Sequence, residues 1–249
     1  MITLRRGNRL PTVGVFQSFL QRQDYPDERI SVDGIFGRET FRAVQAAQRR
    51  LGFAPTGVVN YDLWRRIVGR DRKIIDSVDL TDIIIEDDRD LIPYGQTVIR
   101  NYGQCKGVFD NWDDILRRAH MGQTVLLRFH GHGSPGVMIT SSGVYSNHGS
   151  DLNHLYGASF DAFLARLRPI FSPFGSVEMH GCRVGFGNRG ATLLRRMADA
   201  IQVPVTAALH SQYGGGSSTF RFEGPTRTVC PNGMDLKTWT QSRYRSSYF

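Results

Sequence analysis

Along the first seventy residues, apolar side chains recur at helical spacing. Val13, Phe16 and Leu20 predict a first helix. The stretch Val32-Asp33-Gly34-Ile35-Phe36-Gly37 then reads as a turn whose glycines suit a tight loop with positive φ. Thr40 or a neighbour opens a second helix, with Phe41, Val44, Ala47 and Leu51 on one stripe, and Gly52 ends it. Tyr61 to Val68 supplies a short third helix. As packing, the same residues make a small core from Phe41 and Trp64, with Asp33 capping the turn.

From about residue 80 the pattern changes to short β-rich runs alternating with amphipathic stretches. Strands are predicted at Ile83–Ile85, Thr124–Phe129, Ser176–Met179 and Val203–Leu209. Helices are predicted at Phe109–Met121, where Trp112, Ile115, Leu116 and Ala119 share a face, and at Phe160–Phe171 and Ala191–Ile201. Strand and helix in alternation imply crossover connections and an α/β unit with a mostly parallel sheet. Between the two patterns, residues 71–90 hold 8 acidic side chains against 3 basic ones, whereas residues 1–70 hold 12 basic against 6 acidic. That change of sign predicts a small helical domain over 1–70, an acidic linker over 71–79 and an α/β domain over 80–249.

The totals narrow the partners more than the fold. A formal net charge of +8 favours polyanions, among them an acidic bacterial wall. No helix-turn-helix, zinc-finger or RNA-binding aromatic pattern supports a specific nucleic-acid role. No apolar run approaches the roughly 20 residues of a membrane span, and no signal peptide is read at the N-terminus. An exported form would leave the cell by a non-classical route. Three cysteines, Cys105, Cys182 and Cys230, are too few for a disulfide scaffold.

Two apolar runs end abruptly on chemistry. VLLRFHGHGSPG, residues 125–136, ends on His130 and His132, and EMHGCRVGFG, residues 178–187, ends on Cys182. In a mostly parallel sheet, active sites lie at the carboxyl ends of the strands. If these two strands are neighbours, a thiol and an imidazole meet there. Cys182 is then the candidate nucleophile and His132 the proton acceptor and later donor. Main-chain N–H groups at Gly133 and Gly181 suit a developing oxyanion, because substrate approaches a glycine closely. For substrate contacts, Arg183 and Arg221 suit an acidic side chain, Asp151 or Asp161 a basic one, and His130 duplicates the imidazole. Cys105 and Cys230 read as small buried hydrophobes.

Two resemblances extend this reading. The D-G-x-x-G-x-x-T-x-x-A-V-x-x-x-Q pattern over Asp33, Gly34, Gly37, Thr40, Ala43, Val44 and Gln48, with the later Gly57-to-Trp64 element, resembles the three-helix peptidoglycan-binding module of bacterial wall hydrolases. That similarity implies wall targeting. Residues 80–225, with R-F-H-G-H-G-S-P-G followed by H-G-C-R, resemble the caspase-fold cysteine peptidases, closest to metacaspase-like and bacterial caspase-like sequences. This second resemblance implies a caspase-like sheet flanked by helices and a Cys182–His132 dyad acting on a protein or peptide. It needs no metal or other cofactor, although some relatives are activated by calcium. A bacterial protein, secreted, wall-associated or injected as a toxin, fits both. Two other functions remain open: a zinc amidase or peptidase built on the His130-x-His132 spacing with His180 or Cys182, and a wall-binding protein without catalysis.

Overall fold

The structure is a computed structural model of the chain, and it describes residues 3–22, 30–68, 74–79, 97–100, 107–119, 121–140, 151–155, 157–212 and 222–246. The strand expected at Ile83–Ile85, along with Cys105, His120, His148 and Arg221, lies outside these residues. Seven helices are described: α1 (Pro11–Arg22), α2 (Arg38–Arg50), α3 (Tyr61–Val68), α4 (Val108–Arg118), α5 (Ala158–Leu164), α6 (Gly187–Ile201) and α7 (Leu236–Ser246). The strands are β1 (Ile74–Asp79), β2 (Thr97–Arg100), β3 (Thr124–His130), β4 (Gly133–Ser134), β5 (Val137–Met138), β6 (Leu152–Asn153), β7 (Phe171–His180), β8 (Val205–Ala208) and β9 (Thr226–Val229).

Two compact units divide the chain: Met1–Lys73 with Met234–Phe249, and Ile74–Gly233. These bounds differ from a linker over 71–79 and a second domain over 80–249. Ile74–Asp79 forms a sheet strand, because its main chain pairs with neighbours on both sides. The last sixteen residues join the first unit, where α7 buries Trp239 completely.

In the first unit the expected three helices form around Phe16 and Trp64, whose rings stack at 5.9 Å. The Asp33–Phe36 turn is held from inside by Gln17, a buried amide. Its Nε2 reaches Asp33 Oδ1, the Ile35 carbonyl and Thr40 Oγ1 at 2.9–3.0 Å, and its Oε1 accepts the N–H groups of Asp33 and Gly34. Burying an amide is tolerated only when such partners are present. Asp33 caps the turn, its Oδ1 accepting the Ile35 N–H at 2.8 Å. Glycine is required at two positions where α7 docks. A Cβ on Gly14 would lie 2.2 Å from Thr240 Cγ2, and one on Gly34 would lie 2.9 Å from Leu236 Cγ.

The second unit is α/β. Its main sheet has the order β2-β1-β3-β7-β8-β9, parallel throughout except for the β8–β9 pair. The mostly parallel sheet expected from the sequence is therefore present. The chain moves outward from β1 to β2 and returns past β1 to β3, so the strand order reverses between β1 and β3, the kind of place where open α/β sheets hold ligands. A small antiparallel sheet, β4-β5-β6, follows β3.

Helices α4, α5 and α6 cover one face of the main sheet, packing Trp112, Ile115, Leu164, Leu193, Leu194 and Met197 against Leu127, Phe129, Val177, Met179, Val205 and Ala207. The helix expected to run through Phe171 ends earlier. After α5 the chain tightens into a 3₁₀ turn, Ala165–Ile170, containing Pro169, and Phe171 already begins β7. Proline lacks the N–H that a continuing α-helix needs.

The opposite face of the sheet carries polar side chains, of which Arg128, Glu178 and Thr206 are buried. Arg128, Glu178, Thr206 and Thr228 stand at one register level across four strands, and Thr206 and Thr228 share a hydrogen bond of 2.9 Å. One level nearer the carboxyl ends, His130 stands opposite His180.

Candidate functional site at the ends of β3 and β7

The pairing of β3 with β7 decides the site. Because His130 and His180 are register partners in parallel strands, His132 and Cys182 each lie two residues beyond a matched pair. Their turns touch. A Cβ on Gly181 would lie 2.8 Å from Met138 Sδ, 2.9 Å from Val184 Cγ2 and 3.2 Å from the His132 carbonyl oxygen. A Cβ on Gly133 would lie 2.4 Å from Val184 Cγ2 and 3.3 Å from the Gly181 carbonyl carbon. Only glycine permits two main chains to approach this closely. Gly133 and Gly181, expected as oxyanion donors, thus form the contact between the two turns.

The β4–β5 hairpin is fastened onto the cysteine turn. The Gly136 N–H donates to the Val184 carbonyl at 3.0 Å, and the Ile139 N–H donates to the His132 carbonyl at 3.0 Å. Gly136 has φ +76°, and a Cβ there would meet the Arg189 main chain at 2.7 Å. His132 is exposed on this hairpin, while Cys182 is half-buried.

The thiol of Cys182 makes its hydrogen bonds among the described residues with Gln212. The Gln212 N–H donates to Sγ at 3.3 Å, and the S–H donates to the Gln212 carbonyl at 3.4 Å. Gln212 Oε1 also accepts the Glu223 N–H at 3.2 Å. The cysteine turn is stitched to the chain leaving β8 at two more points, Arg183 N–H to the His210 carbonyl and Gly185 N–H to the Ala208 carbonyl. From β9, Arg227 Nη1 donates to the carbonyls of Gly185 and Gly187 and fixes the start of α6. Gln212 and Arg227 carry no motif in the sequence, and only the fold brings them here.

Arg183 follows the thiol in the left-handed region, at φ +59°, a conformation that costs a non-glycine residue about 1 kcal/mol or more. It is exposed, with its guanidinium 4.8 Å from the centre of the Phe186 ring. The other expected substrate contacts stand elsewhere. Asp151 is buried, and its Oδ1 accepts the Thr140 N–H at 3.0 Å, so its carboxylate is engaged by the main chain. Asp161 pairs with Arg196 through Oδ1, at 3.0 and 2.8 Å. His130 is 4% exposed inside the sheet.

Beneath the two turns lies a three-ring stack. His180 stacks on His130 at 4.7 Å and on Phe222 at 4.1 Å, and its Nε2 meets Glu178 Oε2 at 3.0 Å. Burial first, then the neighbouring His180 and Arg128, hold His130 well below the ordinary imidazole pKa. Burial also lowers His180, with Glu178 opposing. Arg128, 1% exposed, is lowered by desolvation to about 10, with Glu178 again opposing. Both histidines are therefore neutral packing elements at neutral pH. No cluster of three or more His, Cys, Asp or Glu side chains among the described residues is arranged to hold a metal ion.

Compared with known proteins, residues 9–67 match the family described as "Putative peptidoglycan binding domain". No curated protein matches the chain. Among solved structures, an aromatic-amino-acid aminotransferase from Burkholderia pseudomallei, crystallised covalently bound to pyridoxal phosphate, is similar at 14% identity and a TM-score of 0.34. That similarity covers 98% of this chain and 56% of the aminotransferase, so the chain spans little more than half of that enzyme's length. A likeness of that degree assigns neither fold nor chemistry. No helix among the described residues is long and apolar enough to cross a membrane.

Proposed function

We propose that this protein, whose N-terminal module is of the peptidoglycan-binding kind, is a wall-targeted cysteine endopeptidase of caspase-like type, deployed at the cell wall or as a secreted effector. The observation that carries the reading is the parallel β3–β7 pair with His130 opposite His180. It sets an exposed imidazole and a half-buried thiol on abutting glycine turns at the carboxyl edge of a mostly parallel sheet.

In the proposed reaction the imidazole of His132 takes the thiol proton and Sγ attacks a peptide carbonyl carbon. The carbonyl π electrons move to oxygen, and main-chain N–H groups of the Gly133 and Gly181–Cys182 turns stabilise that oxyanion. Collapse of the intermediate breaks the C–N bond, and the imidazolium returns the proton to the leaving amine. Water then hydrolyses the thioester by the same exchange, freeing the acid and restoring the thiol. Arg183, beside the nucleophile and free of carboxylate partners among the described residues, is the candidate for reading an acidic substrate side chain.

A peptide-library cleavage assay tests this directly. Cys182→Ala and His132→Ala should each lower turnover by about a thousandfold or more, and iodoacetamide should abolish it while a chelator leaves it intact. Equal turnover by wild type and both variants would end the peptidase reading, and loss of activity to the chelator alone would favour the zinc hydrolase.

A further inference from the structure

We propose that the Arg5–Arg9 turn, together with Arg38 and Arg42, forms an anion-recognition surface on the first compact unit that takes a phosphodiester-bearing wall polymer. The proposal rests on the wall-binding reading of residues 9–67 for its compartment, but two of its five arginines, Arg5 and Arg6, precede the matched segment.

The turn is tied down by main-chain hydrogen bonds. Leu4 is bridged to Val59 by two hydrogen bonds of 3.0 and 2.9 Å, and Arg9 is bridged to Ile35. Between these anchors, the Gly7 N–H donates to the Phe36 carbonyl at 3.0 Å, and the Phe36 N–H donates to the Asn8 carbonyl at 2.8 Å. Asn8 Oδ1 accepts the Arg5 N–H at 2.7 Å, and Gly7 supplies the positive φ of +96° that the reversal requires. Arg38 begins α2 two residues after Phe36, and Arg42 follows one helical turn later on the same side. The backbone thus gathers five guanidinium-bearing positions from two segments.

All five side chains are exposed, and none is ion-paired among the described residues, although Arg196 and Arg166 in the second unit each hold a carboxylate. Asp33 is engaged by Gln17 and the Ile35 N–H. Five like charges close together repel one another, and a bound polyanion would relieve that repulsion. The chain's basic residues are 28 Arg to 3 Lys, and a guanidinium fork binds phosphate oxygens in pairs where an ammonium does not. Positions spread over two segments suit a flexible polymer bearing one permanent charge per repeat, which can meet several arginines at once.

The test uses the full chain in co-sedimentation with purified sacculi, either intact or stripped of phosphodiester polymer, across a salt series. Wild type should bind intact sacculi with strong salt dependence. Arg5→Gln/Arg9→Gln should weaken that binding about tenfold and lower the log–log salt slope by about 1 to 2. Arg49→Gln/Arg50→Gln, which removes the same charge from the far end of α2, should change it less than twofold. Equal losses in both double variants would overturn the proposal in favour of net charge. Wild-type binding to stripped sacculi as tight as to intact ones would overturn it while leaving the peptidoglycan reading standing. Tighter binding to duplex DNA, with the same dependence on Arg5 and Arg9, would reassign the surface to nucleic acid.

Discussion

Gln212 holds the sulfur of Cys182 from both sides, its N–H donating to Sγ and its carbonyl accepting the S–H. Gln212→Pro removes the N–H that fixes the sulfur and should lower the unfolding free energy by about 1 kcal/mol, read from denaturant midpoints. Gln212→Ala keeps both main-chain contacts and should leave that midpoint nearly unchanged. The buried histidines make a separate prediction. With folded pKa values below the unfolded value of about 6.5, His130 and His180 bind protons more readily in the unfolded chain. Their effect on stability is absent well above pH 6.5 and becomes a growing loss as the pH falls below it. Denaturant midpoints should be flat from pH 8 to 7 and decline towards pH 5, and His130→Gln should reduce that decline.

At the scale of elements, the site depends on how closely the β4–β5 hairpin packs on the β7–α6 turn. Gly133→Ala drives a methyl into Val184 Cγ2, whose carbon is 2.4 Å from the new Cβ. Valine is stiff at χ1 and fully buried here, so the two turns must separate. A loss of about 1–3 kcal/mol is expected, with a larger proportional fall in activity than in stability. Val184→Ala should rescue Gly133→Ala in part, and a double-mutant cycle on unfolding free energy would measure the coupling. Without that coupling the two turns would not be in the contact described.

For the whole molecule, the notable fact is that both chain ends belong to one unit and the α/β unit is inserted between them. The helix α7 completes the N-terminal unit by burying Trp239 and by fitting Thr240 and Leu236 over Gly14 and Gly34. Trp239→Ala should therefore destabilise the first unit by about 3–5 kcal/mol and leave the thermal transition of the second in place. Truncation after Gly233 should do the same more severely. Limited proteolysis followed by mass spectrometry would show which unit opens first, and simultaneous opening of both would contradict the assignment of α7.

The sequence by itself determined what depends on local pattern. The three N-terminal helices, the α/β alternation, and the strand ends to within one residue, Phe129 and Met179 expected against His130 and His180 found, were legible because burial imposes periods of 3.6 and 2 on the apolar residues. The candidate pair His132 and Cys182 was legible because a glycine-flanked end of an apolar run is itself a local signal. Tertiary structure decided everything that depends on which segments become neighbours. It paired β3 with β7 in register, sent α7 back to the N-terminal unit, and brought Gln212 and Arg227 to the cysteine turn. It also turned His130 and Asp151 into buried supports and gathered Arg5, Arg9 and Arg38 around one bridge. Such contacts join residues tens to hundreds of positions apart, and no periodicity in a single chain encodes that distance.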